Sequence, residues 1–288
     1  SPILEKFLKD YRKEVPFIDE DIIMYTEFGT TYNSYVLKSG GKVVLFETVK
    51  EAFFEEWMAK LGEVIDVTKI DYLVVNHTEP DHAGSVQRLL KLSPQLKIIS
   101  TACAAGFLKE IVNSEFCNLI VHDNETMKIG DKTLRFLLVP NLHWPDTMYT
   151  FIEEEQVLVT CDSFGSHYGF QDVLVSKVTD REGYMRATKY YFDNILGPFK
   201  QPHMANALKL VREELKPVMI CPGHGPVLDS DPEDLYEKYE EWCGQPAENQ
   251  PKKVVIPYVS AYGYTAQLAE KIAEGVRSAG DFEVKLYD

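Results

Sequence analysis

The chain has 288 residues, of which 45% are hydrophobic and 26% charged, a composition typical of a globular protein with about two domains. Its 45 acidic and 30 basic side chains give a net charge of −15, which repels phosphate backbones and anionic lipids. No apolar run reaches the roughly 18 residues that a membrane helix needs. Nucleic acid and membranes are therefore poor partners, and the scattered cysteines described below predict a reduced, cytoplasmic protein.

Short β-branched runs alternate with helical patterns along most of the chain, which predicts an α/β protein with sheets packed inside helical layers. The predicted strands are 35–38, 42–47, 72–76, 97–101, 119–122, 133–139, 149–152, 157–161 and 218–221. The predicted helices are 50–61, 85–92, 104–112, 183–195, 204–214 and 232–243.

A polar stretch with two prolines, 244–253, predicts a linker between a first domain at 1–245 and a second part at 246–288. This second part is predicted to form a strand at 254–259, a turn, a helix at 266–279 and a strand at 282–286. Such a β-α-β unit begins a doubly wound domain. Because only 37 residues follow Pro251, against the usual ~100–150 of an α/β domain, we expect this domain to be truncated.

The five cysteines are scattered and contain no C-x-x-C pair: Cys103, Cys117, Cys161, Cys221 and Cys243. This spacing argues against a disulfide scaffold, a zinc ribbon and a cysteine-ligated iron–sulfur cluster. Cys161 and Cys221 end apolar runs, where a buried small hydrophobic residue is expected.

The segment 76–82 places four potential metal ligands directly after an apolar strand: His77, Glu79, Asp81 and His82. Four titratable groups at one strand end are costly unless a multivalent cation compensates them. Positions 77, 79 and 81 are predicted to point one way from an extended loop, with residue 82 reaching a neighbouring centre. A solvated polar loop is the alternative.

Three more ligand-type residues follow predicted strands and lie close to a glycine or proline: His143, Asp162 and His224. Each alone is explained equally well as a capping or structural residue. Four strand ends of this kind in one domain favour a single metal centre. Three carboxylates and four imidazoles without a thiolate suit iron, manganese or zinc.

These residues resemble the metallo-β-lactamase superfamily, an αβ/βα sandwich that usually carries H-x-H-x-D-H and often binds zinc. Glu79 stands here where the second histidine would be. With LHWPD at 142–146, CDSFG at 161–165 and HGP at 224–226, Glu79 makes the sequence similar to the flavodiiron proteins, also called A-type flavoproteins. The resemblance implies a metallo-β-lactamase-like diiron domain followed by a flavodoxin-like domain that binds FMN.

The resemblance also implies how two irons would be held. One iron takes His77, Glu79 and His143, the other takes Asp81, His82 and His224, and Asp162 bridges them together with an oxo or hydroxo group. Replacing a neutral imidazole by Glu79 adds negative charge, which stabilises ferric more than ferrous iron and favours a redox role.

The turn between the predicted strand at 254–259 and the predicted helix at 266–279 resembles a flavodoxin phosphate loop, S/T-x-Y-G-x-T. Backbone N–H groups at a helix N-terminus favour an anion. In the intact protein this turn is therefore expected to hold the FMN phosphate, and a plain strand–helix turn is the alternative. Its residues are Ser260, Ala261, Tyr262, Gly263, Tyr264 and Thr265.

The function that the resemblance implies is reduction of dioxygen to water, of nitric oxide to nitrous oxide, or of both. Electrons would come through FMN from a rubredoxin or a reduced deazaflavin, in a head-to-tail homodimer or a tetramer built from it. The rival enzyme is a dinuclear zinc hydrolase of the same fold. A sensor of diatomic gas is the non-enzymatic alternative.

Three further features of the sequence have a plain structural explanation as an alternative to a functional one. Tyr191 lies on a predicted helix, where core packing is the default, and the resemblance makes it a hydrogen-bond donor near the iron-bound ligand. His167 follows Asp162 by five residues and suits a place beside the metals or on the surface. The segment 29–33 is explained as a tight turn.

Overall fold

The computed structural model describes residues 4–11, 17–18, 23–24, 26–230, 232–244 and 252–287. The chain divides into two compact units, Ser1–Cys243 and Gly244–Asp288. Most of the predicted linker, residues 245–251, lies outside the described residues.

The larger unit contains thirteen of the described strands. In chain order they are β1 (Leu4–Tyr11), β2 (Phe17–Ile18), β3 (Ile23–Met24), β4 (Thr30–Ser39), β5 (Lys42–Phe46), β6 (Tyr72–Val74), β7 (Lys97–Ser100), β8 (Cys117–Ile120), β9 (Thr126–Ile129), β10 (Lys132–Leu138), β11 (Met148–Ile152), β12 (Val157–Cys161) and β13 (Met219–Pro222).

Seven α-helices of the larger unit lie within the described ranges, six between these strands and the seventh after β13. They are α1 (Phe54–Gly62), α2 (Pro80–Ala83), α3 (Val86–Leu92), α4 (Ala102–Val112), α5 (Arg181–Tyr191), α6 (Ala205–Lys209) and α7 (Glu233–Gly244). Helix α5 continues through a π-helical turn at Phe192–Leu196, and α6 continues through another at Leu210–Leu215.

Two main sheets form the centre of the larger unit. The first has the order β1-β4-β5-β6-β7-β8, and the second has the order β13-β12-β11-β10-β9. In the first sheet β5, β6, β7 and β8 run parallel, whereas β12 and β13 form a parallel pair in the second. Parallel neighbours end at the same sheet edge, so the loops that follow them lie side by side.

The buried side chains form three layers that define a sandwich. One cluster joins the inner faces of the two sheets and includes Phe46 and Val74 opposite Phe136 and Val159. A second cluster packs the outer face of the first sheet against α1, α3 and α4. A third packs the outer face of the second sheet against α5, α6 and α7. The predicted α/β fold with helical outer layers is confirmed.

Two local expectations are wrong. Asp81 and His82 do not lie in an extended loop, because Pro80 begins the short helix α2 and its fixed φ suits a first helical turn. Thr30 and the residues after it do not form a tight turn: they begin β4, and only Gly29, with φ 72°, has the left-handed conformation of a turn glycine.

The smaller unit is a β-α-β arrangement of β14 (Lys252–Pro257), α8 (Tyr264–Ala279) and β15 (Phe282–Tyr287). The two strands pair in parallel, from Lys252 opposite Phe282 to Pro257 opposite Tyr287. Across both units, the helices of the described residues include none that is long and apolar enough to cross a bilayer.

Candidate metal centre

All seven ligand-type residues predicted from the sequence gather at one edge of the sandwich. His77 follows β6, and Asp162 and His224 follow the adjacent parallel strands β12 and β13. His143 lies in the loop between β10 and β11, while helix α2 carries Asp81 and His82. The centre therefore receives side chains from both sheets.

A first group consists of His77, Glu79, His143 and Asp162, whose ligand atoms all lie within 4.8 Å of one another. The Oε2 atom of Glu79 is 2.9 Å from Nε2 of His143 and 3.3 Å from Nε2 of His77. Both imidazoles thus direct Nε2 toward a shared point next to two carboxylates. A divalent or trivalent cation at that point would neutralise the carboxylates and accept both nitrogen lone pairs.

A second group consists of Asp81, His82 and His224. Nε2 of His224 lies 3.2 Å from Oδ2 of Asp81, and Nε2 of His82 lies 3.6 Å from Oδ1 of the same carboxylate. Apart from Asp162, which the resemblance assigns as the bridge, the two groups have the members that the resemblance assigns to two irons.

Asp162 stands between the groups and presents one oxygen to each. Its Oδ1 atom is 3.0 Å from Nε2 of His82 and 3.3 Å from Nε2 of His224. Its Oδ2 atom is 3.4 Å from Nε2 of His143 and 3.5 Å from Nε2 of His77. A carboxylate in this position can bridge two cations, one per oxygen.

The pKa shifts in the cluster also favour a bound cation. Burial opposes a charge on His143, but the carboxylates of Asp162 and Glu79 raise its pKa to about 9. Burial also opposes ionisation of Asp162, yet the imidazoles, with His82 first, hold the pKa of this carboxyl well below its usual range. The buried carboxylates therefore favour positive charge among the imidazoles, and a metal cation would supply that charge.

Buried polar atoms test whether the residues present fit metal ions. Oδ2 of Asp162, Oδ1 of Asp81 and Nδ1 of His82 are buried and have no hydrogen-bond partner among the described residues. An unsatisfied buried polar atom costs about 1–3 kcal/mol, and more if it is charged. Two unsatisfied carboxylate oxygens next to four imidazoles fit a pair of cations.

Two groups that are not among the seven ligand-type residues orient two of the histidines, and the sequence predicts a role for neither group. Asp146 lies 3.2 Å from Nδ1 of His77, and the carbonyl of Thr31 lies 2.7 Å from Nδ1 of His224. A bond to Nδ1 fixes the tautomer that leaves Nε2 free for a metal. Asp146 could have been found because it closes the LHWPD motif. Thr31 carries no such signal, since any residue supplies a carbonyl.

Tyr191 is buried, and its hydroxyl donates to Oδ1 of Asp162 over 3.1 Å. Glu47 is a second buried group, one that the sequence does not single out. Its Oε1 atom accepts the backbone N–H of Asn76, whereas Oε2 has no partner among the described residues. Burial raises the pKa of Glu47 to about 7, although His82 and His77 nearby lower it.

Cys161 also lies close to ligand atoms of His82 and Asp162. Its thiol is buried, and burial together with the charge of Asp162 raises its pKa well above the ordinary value. Because the thiolate is the form that binds metals, Cys161 serves here as packing. Cys221 is buried as well, and the cysteines of the described residues are all free thiols.

The candidate flavin loop, 260–265, connects β14 to α8. Oγ of Ser260 accepts the backbone N–H of Ala266 over 3.2 Å, and Gly263 has φ 81° directly before the helix. The first N–H groups of a helix have no carbonyl within the helix, so they are available to an anion. The side chains of Tyr262 and Tyr264 are largely exposed.

Comparisons with known proteins agree with this geometry. Residues 30–225 match the family described as ODP family beta lactamase. The flavo-diiron protein FprA2 of Clostridium acetobutylicum is 39% identical over 275 residues, which cover 93% of this chain and 67% of the relative. The chain belongs to the flavodiiron protein family.

Other flavodiiron relatives show the same coverage. The type A flavoprotein fprA of Rhodobacter capsulatus is 36% identical over 93% of this chain and 62% of its own length. The crystal structure of the Giardia intestinalis flavodiiron protein superposes with a TM-score of 0.71 and 32% identity, covering 91% of this chain and 63% of that one. Rubredoxin oxygen:oxidoreductase from Desulfovibrio gigas superposes with a TM-score of 0.72 and 32% identity, covering 91% and 65%.

Flavodiiron proteins carry a diiron centre and FMN. The chain spans between 44% and 67% of the length of the curated relatives that it matches.

Proposed function

We propose that the chain reduces dioxygen to water, nitric oxide to nitrous oxide, or both, at two irons held by the seven gathered residues. The observation that carries this proposal is Asp162, which presents one carboxylate oxygen to each ligand group. Glu79 supports iron over zinc, because its charge favours the ferric state. When bound, the two irons supply electrons and act as Lewis acids toward the diatomic substrate.

The chain's own residues position and protect this centre. Asp146 and the Thr31 carbonyl fix two imidazole tautomers, so Nε2 of His77 and Nε2 of His224 would be free to hold the metals. Tyr191 donates a hydrogen bond to the bridging carboxylate and stabilises its negative charge. The surrounding sandwich buries His77 and His82 fully, which keeps bulk water from that side of the centre.

Electron supply forms the second part of the proposal. Residues 246–288 are assigned to the start of a flavodoxin-like domain after a diiron domain at 1–245, and 260–265 would hold the FMN phosphate. FMN supplies one-electron relay between a donor, such as a rubredoxin or a reduced deazaflavin, and the irons. A head-to-tail homodimer, or a tetramer built from it, would bring the flavin of one cytoplasmic subunit to the metals of the other.

The test is the metal content of anaerobically purified protein, measured by elemental mass spectrometry, followed by a single turnover of the dithionite-reduced chain. We expect about two irons per chain, one for each ligand group. In the turnover two nitric oxide molecules, two electrons and two protons give nitrous oxide and water, and gas chromatography measures the nitrous oxide. Dioxygen consumption is followed in parallel with an electrode.

Variants at the bridge sharpen this test. Asp162→Ala should lose both metals, whereas Asp229→Ala removes a partly exposed carboxylate elsewhere and should keep them. Two zincs that iron cannot replace with activity would contradict the proposal and favour the dinuclear hydrolase. Binding of the gas without turnover would favour the sensor.

A further inference from the structure

A cavity of about 190 Å³ lies beside the metal centre and is not part of either ligand group. It opens between the segment that precedes β4 and the outer side of helix α5. Its lining includes Glu27, Phe28, His167, Arg186, Ala187 and Tyr190.

The imidazole of His167 separates this cavity from the metal centre. His167 is half-buried, and its Nδ1 atom lies 2.8 Å from Oγ1 of Thr30, which holds the ring in place. The far side of the ring packs on the metal-centre residues: its centroid is 4.8 Å from that of Tyr191 and 5.3 Å from that of His224. A single ring thus stands between the cavity and a metal ligand.

The walls of the cavity are apolar and its rim is charged. Phe28 and Ala187 supply carbon surface on the inside. At the rim Arg186 makes a double contact with Glu27, over 2.9 and 3.3 Å, and its guanidinium lies 5.1 Å from the centre of the Phe28 ring. A small uncharged molecule would pass these walls at little cost, whereas an ion would lose its hydration.

The metal centre has a different, polar face as well. The side chains of Glu79, Asp81 and His143 are 25%, 16% and 11% exposed, so this face is where a cofactor or partner can approach the ligands directly. The apolar cavity at His167 reaches the same centre from a different side, through the contacts of His167 with Tyr191 and His224.

Resting on the function proposed above, we propose that this cavity is the entry route of the uncharged diatomic substrate and that the His167 ring is its inner gate. Movement of this one ring about its side-chain torsions would connect the cavity with the bridging region near Tyr191. His167 belongs to neither ligand group, so its role in this route is separate from metal binding.

The first experiment examines the cavity without iron, in crystals of the metal-free full chain pressurised with xenon. Xenon binds in apolar cavities, so we expect density next to Phe28 and Ala187. Ala187→Leu fills the cavity and should abolish this density. Ala207→Leu is the matched control, because Ala207 lines a separate cavity of about 210 Å³ with Val139 and Leu210. It should leave the xenon next to Phe28 unchanged.

The second experiment measures the rate at which nitric oxide binds to the reduced, iron-loaded chain, by stopped-flow absorbance. Ala187→Leu should lower the bimolecular rate constant about tenfold, which corresponds to a barrier about 1.4 kcal/mol higher. The affinity at equilibrium should not change. Ala207→Leu should bind at the wild-type rate, and His167→Ala, which removes the gate, should bind faster. Thermal unfolding of each variant checks that it folds.

The outcomes separate this inference from the proposed function. No xenon in the wild-type cavity, or an unchanged binding rate in Ala187→Leu, would overturn the route and leave the diiron proposal intact. Xenon in the cavity of a chain that takes up iron but binds neither gas would overturn the proposed function, and with it the role of the cavity.

Discussion

Asp146 joins His77 to the backbone of the next residue through a single carboxylate. Its Oδ1 atom lies 3.2 Å from Nδ1 of His77, while Oδ2 accepts the N–H of Thr78 over 2.8 Å and the Thr78 hydroxyl over 2.7 Å. The carboxylate therefore fixes both the ring and the main chain from which it projects. All three groups donate hydrogen bonds to the Asp146 carboxylate, so a side chain at this position must accept with both of its terminal atoms.

Asp146→Asn should weaken metal binding at the first ligand group about 10- to 100-fold. An amide has one acceptor atom, so its NH₂ would face either His77 or the two donors of Thr78. Affinity for Fe(II) or Co(II) can be measured by anaerobic competition with a chelator. Asp229→Asn is the matched control, since the Asp229 carboxylate also accepts a backbone N–H and a hydroxyl, both from Ser176. Equal affinity in wild-type protein and Asp146→Asn would contradict this role.

The ligand positions could be predicted because they depend on local patterns. Strand β12 coincides with its prediction, and β10 and β13 lie within one residue of theirs, so residues directly after them could be placed at the sheet edge. Hydrophobic runs fix such strands without knowledge of distant partners.

Contacts between residues far apart in the sequence could not be predicted, even where a motif marks one of the two residues, as LHWPD marks Asp146. Asp146 is 69 residues from His77, and the Thr31 carbonyl is 193 residues from His224. The segment 29–33 is predicted as a tight turn because of Gly29, whereas antiparallel pairing with β1, with Asp10 opposite Thr31, makes the residues after Gly29 a strand. The short helix α2 escapes prediction for a related reason: four residues are too few for a helical period.

Gly223→Ala should displace His82 and empty the second ligand group. A Cβ atom at this position would lie 2.7 Å from Cε1 of His82, and the carbonyl carbon of Cys161, at 3.2 Å, prevents a shift the other way. Elemental analysis should show metal falling from about two ions per chain to about one. Gly106→Ala is the control: its Cβ would meet no atom within 4 Å, and alanine in a helix adds about 0.5–1 kcal/mol of stability. Full metal content in Gly223→Ala would contradict the prediction.

Glu47→Gln should stabilise the metal-free chain at pH 8 but much less at pH 5. The carboxyl has a pKa of about 7 in the folded protein, against 4.5 for its ordinary value. The folded state then holds the proton more tightly than the unfolded state, so the wild type loses stability as the pH rises through this window. The variant carries no such carboxyl. Its free energy of unfolding, relative to wild type, should therefore be about 2–3 kcal/mol higher at pH 8 than at pH 5.

Urea unfolding at the two pH values measures this difference. His77 and His82 face Glu47 and titrate too, but they are present in both proteins, so the comparison isolates the carboxyl. Glu213→Gln, on the exposed side of the π-helical turn after α6, is the surface control. An equal gain in Glu213→Gln, or no gain in Glu47→Gln, would show that burial of Glu47 does not set the pH dependence.

Tyr191→Phe should lower the reduction potential of the iron-loaded centre and slow turnover about 10- to 100-fold. The hydroxyl donates to Oδ1 of Asp162, and its loss leaves more negative charge on the bridging carboxylate, which favours the ferric state. A potentiometric titration followed by electron paramagnetic resonance measures the potential directly. Tyr184→Phe is the control, because Tyr184 is buried on the same helix but packs in the core cluster behind it. If Tyr191 acts only through packing, both variants should lose stability, and the reduction potential of Tyr191→Phe should equal that of the wild type.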